Sequence, residues 1–261
     1  MELALRDLRQ GLLAWRIWLY LGWVAVRVLY SRTLLGSLWI TFSFSFFVGV
    51  KIFIMTRLFA TDTGMASYPL HITIGFLIFM FISSAISSGT TVFVSSKNYI
   101  DNGNNPLSIY VLKDLFRVTY SLTLNSVVVL ALIFIVQQKL GWACLSIVPA
   151  ILVMLLNGIW VKLLLGTIGA RFRDVRHLVD AIMRVMLFLS PVLWMKEQVG
   201  DAIQILWWNP IYHFIEIIRF PILEGVVPLE SWLFVGVCTV VGSTVALTVY
   251  SKNLKQIHHW I

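Results

Sequence analysis

The sequence predicts an all-α integral membrane protein. It reads as an N-terminal interfacial amphipathic helix, six transmembrane helices, and outer re-entrant helices between spans five and six. Three observations predict this. Hydrophobic residues make up 59% of the 261 and charged residues only 12%, against roughly 25% charged in an average soluble domain. Mean hydropathy is +0.87. The apolar residues also gather into runs of about twenty, the length that crosses a hydrocarbon core of roughly 30 Å.

The length suits one domain, with residues 1–32 as an interfacial lead-in and 33–257 as the transmembrane domain. Within Glu2 to Val26, Leu5, Leu8, Leu12, Trp15, Leu19 and Trp23 recur every three or four residues, while Arg6, Asp7, Arg9 and Arg16 interrupt any continuous apolar run. That pattern describes a helix lying in the plane of the interface. Met1 to Gln10 is charged and no small-residue cleavage site follows, so no signal peptide is read there.

The six spans are placed at about 33–55, 70–94, 115–136, 142–168, 178–194 and 229–250. Span two carries Ser83, Ser84, Ser87, Ser88, Gly89, Thr90 and Thr91, small residues that let helices approach closely in lipid. Residues 95–114 form the longest polar stretch after the start, with a turn signal at Asn102 to Pro106. The stretch from Gly169 to Pro210 opens with Arg171, Arg173 and Arg176 and runs into an apolar segment broken at Ser190-Pro191. Proline removes a backbone donor, so span five ends or kinks there. Trp207 and Trp208 suit the headgroup layer, and the segment 196–228 reads as dipping in at the outer face.

Basic residues set the orientation. The segments facing one side hold Arg6, Arg9, Arg16, Arg27, Arg32, Lys97, Lys113, Arg171, Arg173, Arg176, Lys252 and Lys255, whereas the other side holds Arg57, Lys139, Lys196 and Arg219. Lysine and arginine are retained in the cytoplasm, so both termini are expected there. The same rule, together with attraction to anionic membrane lipid, accounts for the net charge of +8 without any nucleic-acid partner.

The chemistry is sparse. Every acidic residue falls in a loop or near a span end, so the intramembrane carboxylate common in ion-coupled carriers is not expected. Lys51, Lys162 and Arg184 lie nearer the spans, and Arg184 is a candidate for a lumen. His213, Glu216 and Arg219 follow Asn209-Pro210, which reads as an N-cap with proline at N1. They are the only trio suggesting an enzyme, and a plain ion pair is the simpler reading. Cys144 and Cys238 sit in apolar runs, and no disulfide or metal site is expected. No GxxxxGK[ST] loop occurs, so energy for transport by that route must come from another subunit.

At this point the residues resemble a family. Arg27, Tyr30 and Ser31 leading into Leu35, Gly36, Leu38 and Trp39 resemble the opening motif of ABC-2 type permeases that export polysaccharides. Phe172-Arg173-Asp174 resembles their turn between spans four and five, although Ala170-Arg171 stands where another phenylalanine is usual. Ser190-Pro191 and Asn209-Pro210 resemble their breaks after span five and in the re-entrant helices.

The resemblance implies a homodimer paired with two copies of a cytoplasmic ABC ATPase, which would carry the ATP and Mg; no cofactor is implied on this chain. It implies export of a lipid-linked polysaccharide, O-antigen first, across the bacterial inner membrane. Capsule or teichoic acid export, drug or lipid export, and a membrane-embedded glycan-processing enzyme are the alternatives. It further implies that the 95–114 loop couples to the ATPase, through Asn98, Tyr99, Ile100, Asp101, Leu107 and Ile109. Arg27, Tyr30, Arg32, Arg171 and Arg173 are candidates to meet a lipid diphosphate at the inner mouth, where arginine offers paired donors to phosphate oxygens. Trp39, Phe42, Phe46, Trp160, Arg184 and Phe188 are candidates to line the channel, since flat rings suit the C–H faces of sugars.

Overall fold

The computed structural model describes residues 1–58, 68–194 and 207–261. The expected loop around Asp62 and the first part of the re-entrant segment, including Lys196 and Asp201, lie outside the described residues. The described residues form helices α1 (Glu2–Leu13), α2 (Trp15–Leu29), α3 (Leu38–Leu58), α4 (Tyr68–Gly89), α5 (Lys97–Asp101), α6 (Ser108–Val136), α7 (Ile147–Arg171), α8 (Val175–Leu189), α9 (Pro210–Leu223) and α10 (Leu229–Trp260), with no strand among them. Four helical stretches are long and apolar enough to cross a membrane: α4, α6, α7 with its short lead-in turn, and α10. The protein is an all-α, multi-pass membrane protein.

The differences from the expected elements have local causes. The interfacial helix is two helices, bent by 72° at Ala14. Most of its expected apolar stripe faces outward, with Leu5, Leu12, Trp15 and Trp23 exposed and Leu8 and Leu19 half-buried, while Ala4, Gly11, Gly22 and Val26 make the inward face. Span one begins at Leu38, because Thr33 to Ser37 is spent on a turn in which Gly36 takes φ +56°. A side chain is strained at that φ, which explains the glycine.

Span three starts seven residues early, at Ser108, so the polar connection ends at Leu107 and Asp114 belongs to α6. Span five is the 15-residue α8, about 22 Å long and short of the hydrocarbon core. Arg176, Asp180 and Arg184 follow one another at helical spacing along it, and only Val179 and Met183 are buried. The last helix runs ten residues past Tyr250, so the expected basic tail is helical.

Two cores result. The larger lies between α3, α4, α6, α7, α9 and α10, around Ile72, Ile78, Met154, Ile215 and Val235. The smaller sits at the basic end, where Ala4, Phe93, Ile100, Leu107, Tyr110, Leu163, Tyr250 and Ile257 meet. Close approach of α4 and α7 completes it: a Cβ on Gly169 would collide with the backbone carbonyl of Thr90.

Candidate functional site

Helices α3, α4 and α6 enclose a groove of about 510 Å³. Aromatic rings supply much of its wall: Trp39, Phe44, Phe47, Phe76 and Phe81, with the Phe47 and Phe76 rings stacked at 4.3 Å. Between them stand Ser43, Ser84, Ser121 and Asn125. Asn125 is 4% exposed, and its Oδ1 is buried with no hydrogen-bond partner. A buried acceptor without a partner is costly, and here it belongs to a residue that lines an open groove.

Tyr30 closes one end of this groove. It ends α2, and after it Arg32 adopts φ +68°, an uncommon conformation for a residue other than glycine. Burial pushes the Tyr30 phenol up, while the nearby Arg117 charge pulls it down. The Arg27 guanidinium lies 5.4 Å over Trp23, whose ring meets Tyr120 edge-on, and Tyr120 donates to Ser37 Oγ at 3.1 Å. Arg27 therefore lies beside α6 and Tyr30 at the groove wall, while Arg32 is exposed in the turn before α3.

Arg171 and Arg173 lie elsewhere at the basic end. Arg171 closes α7 and stacks between Phe172 and Trp260, at 5.2 and 5.5 Å. Arg173 is exposed in the following turn. Among the described residues, no hydrogen bond, ion pair or ring contact joins these two to Arg27, Tyr30 or Arg32. One chain thus presents two basic groups where the sequence suggests one mouth.

Beside Tyr30 lies a cluster that sequence reading missed. Asp114 Oδ1 accepts from Nε and Nη2 of Arg117 at 2.9 and 2.7 Å. Its Oδ2 accepts from Lys162 Nζ and Ser88 Oγ, both at 2.6 Å. Lys162 is 0% exposed and also donates to Ser88 Oγ and to the Ala85 carbonyl, at 2.7 and 3.1 Å. Asp114, which the sequence places in the polar loop, lies in the second turn of α6, close to the span end. Asp114 is inside α6, compensated by a cation from α7. Breaking a buried pair by removing one partner costs about 3–5 kcal/mol. Lys162 could be flagged from its place in an apolar run, but its partner lies 48 positions earlier.

The family is now visible. The family described as ABC-2 type transporter matches residues 8–223, from within α1 to the end of α9. The chain belongs to this family. No curated protein matches the sequence. The chain is therefore the membrane component of an ABC transporter, and the ABC-2 family works with an ABC ATPase partner.

In this ABC-2 transporter the expected coupling residues divide. Asn98 and Asp101 are exposed and Tyr99 is 49% exposed, whereas Ile100, Leu107 and Ile109 are 3%, 3% and 0% exposed. Those three fold back into the transporter's own core, so of the apolar and aromatic coupling candidates Tyr99 alone is exposed. Its ring is braced by Lys113 Nζ at 5.2 Å, and its carbonyl accepts from Tyr110 Oη at 2.8 Å.

The channel candidates separate as well. Trp39 lines the aromatic groove, while Phe42 and Phe46 border a neighbouring depression with Lys51. Trp160 packs on Gly242 and donates to Asn157 Oδ1 at 2.7 Å, in a second, mostly apolar groove between α4, α7, α9 and α10. Arg184 and Phe188 stand exposed on α8. At the opposite end, Asn209 caps α9 through Ile211 N at 3.0 Å. Glu216 and Arg219 are buried, with Arg219 bonded to Glu216, to His71 Nε2 at 2.9 Å and to the Pro191 carbonyl at 2.6 Å. Arg219 thus ties α9 to α4 and to the break after α8, while His213 bonds to Ser231 Oγ of α10 at 3.1 Å.

Proposed function

We propose that the chain is the permease subunit of an ATP-driven exporter of a lipid-linked polysaccharide, O-antigen being the foremost substrate. It works as a homodimer with two cytoplasmic ATPase subunits in the bacterial inner membrane, both termini facing the cytoplasm. The groove between α3, α4 and α6 carries the reading. Its stacked rings alternate with hydroxyl and amide groups, a wall suited to the C–H faces and hydroxyls of sugars. Tyr30 in its wall lies between Arg27 and Arg32 in the chain. Trp39, Phe42, Phe46, Arg184 and Phe188, exposed on the single chain, would face the path between two copies. Capsule and teichoic acid chains carry the same chemistry and remain within the proposal.

The second groove favours a different reading. It encloses about 430 Å³ lined by residues such as Phe81, Met154, Val237 and Val241, which suits a drug or lipid without a glycan. Reconstitution with the cognate ATPase separates the two. A diphosphate-linked glycan should stimulate ATP hydrolysis and cross the membrane; transport should stop without ATP and persist when the proton gradient is collapsed. Stimulation by apolar lipids alone would favour the second reading. Gradient-driven flux through the chain by itself would refute an ATP-driven exporter, and group-transfer turnover without a partner would point to an enzyme.

A further inference from the structure

We infer that Arg117 forms an anion site for the phosphate-ester headgroup of a lipid, and that Asp114, Lys162 and Ser88 are its positioning residues. The inference rests on the exporter reading and names the residues that meet the charged end of its substrate.

Donor and acceptor counting carries it. A carboxylate offers about four acceptor sites. Asp114 fills them with two donors from Arg117, one from Lys162 and one from Ser88. An ammonium has three donors, and Lys162 spends all of them, on Asp114, Ser88 and Ala85. A guanidinium has five, and Arg117 spends two, both on Asp114. Two cations share one anion, so one positive charge is uncompensated. It resides on the only cation of the cluster that reaches the surface, since Arg117 is 33% exposed and Lys162 is 0%. The two hydrogen bonds to Asp114 Oδ1 fix the guanidinium in advance, which lowers the ordering cost of binding.

Placement supplies the ligand class. The 29 residues of α6 span about 44 Å, roughly 14 Å more than the hydrocarbon core. Arg117 is nine residues into the helix from its basic end, about 14 Å along it. That is the boundary between headgroups and hydrocarbon, where the anions are lipid phosphates. Tyr30 lines the neighbouring aromatic groove, and its phenol feels the Arg117 charge. A planar fork presenting parallel donors matches phosphate oxygens.

The test uses the full chain in phosphatidylcholine nanodiscs with a radiolabelled short polyprenyl diphosphate, and the corresponding polyprenol as control. Arg117→Gln should weaken diphosphate binding about tenfold, the scale of one charge-assisted hydrogen bond, and leave polyprenol binding unchanged. If that variant is not monodisperse, Arg117→Lys replaces it, keeping the charge without the fork, with a loss of roughly threefold. Competing phosphatidylglycerol identifies the source: equal competition assigns the site to bilayer phospholipid, and no competition assigns it to the diphosphate carrier. Undiminished diphosphate binding by the variant overturns the site alone, as does an equal loss for the polyprenol. A wild-type chain that binds no diphosphate overturns the exporter reading with it.

Discussion

Asp7 caps a helix to which it does not belong. From α1 its carboxylate accepts from the backbone N–H groups of Leu107 and Ser108 at 3.0 Å each, and from Tyr250 Oη at 2.9 Å. It thus satisfies donors that α6 leaves open at its start and joins three helices. Asp7→Ala should lower stability by about 1–2 kcal/mol through the lost cap, with a further cost from stranding the Tyr250 hydroxyl in the core. Asp7→Asn, which keeps an acceptor, should cost less; thermal denaturation in detergent would rank the two. A ranking in which both match wild type would remove the capping role. Nothing in the sequence marks Asp7, since its partners lie 100 or more positions away and it reads only as one charge on an amphipathic helix. Arg117 escaped notice similarly, as a basic residue near a span end.

At the scale of elements, the apolar runs were legible and their ends were less so. Hydrophobicity locates α4, α6, α7 and α10, because a chain in lipid must pair its own backbone groups and the helix is the open route. Boundaries depend on tertiary partners: α6 begins early where Asp7 caps it, and α4 stops at Gly89, after which Gly169 brings α7 against Thr90. The periodicity of α1 gave the helix but not its inward face, which small residues make. In the polar segment before α6, Tyr99 is the exposed ring available to the proposed ATPase contact. Tyr99→Ala should leave the permease folded and dimeric, weaken copurification of the ATPase at least tenfold, and reduce export; buried hot-spot rings typically cost about 2 kcal/mol or more when removed. Unchanged copurification would return Tyr99 to a bracing role with Lys113.

The whole molecule is polarised. One end gathers α1, α5, the start of α6 and the ends of α7 and α10 around a small core; the other gathers α9 around the buried Arg219. That separation agrees with the one-sided distribution of basic residues. Reporter tags should read out from the cytoplasm when fused after Ile261 and from the outer face when inserted near Asp201. A cytoplasmic signal at Asp201 would invert the orientation. The candidate site was legible in composition, as arginines and aromatics, but not in grouping. Arg171 and Arg27 share a motif-level resemblance and yet sit in separate groups, because contacts between distant helices decide which charges share a pocket.

The Lys162–Asp114 pair also constrains how the chain enters the bilayer. A lone lysine or aspartate in an inserting segment costs about 2.5–3.5 kcal/mol at mid-bilayer and less toward the ends, and α6 and α7 each bring one toward the basic end. They are consecutive spans joined by a short connection, so they can leave the translocon as a hairpin with the two charges already matched. Paired insertion of this region is then the favoured route, and Asp114→Ala should lower insertion of α7 in a translocation assay.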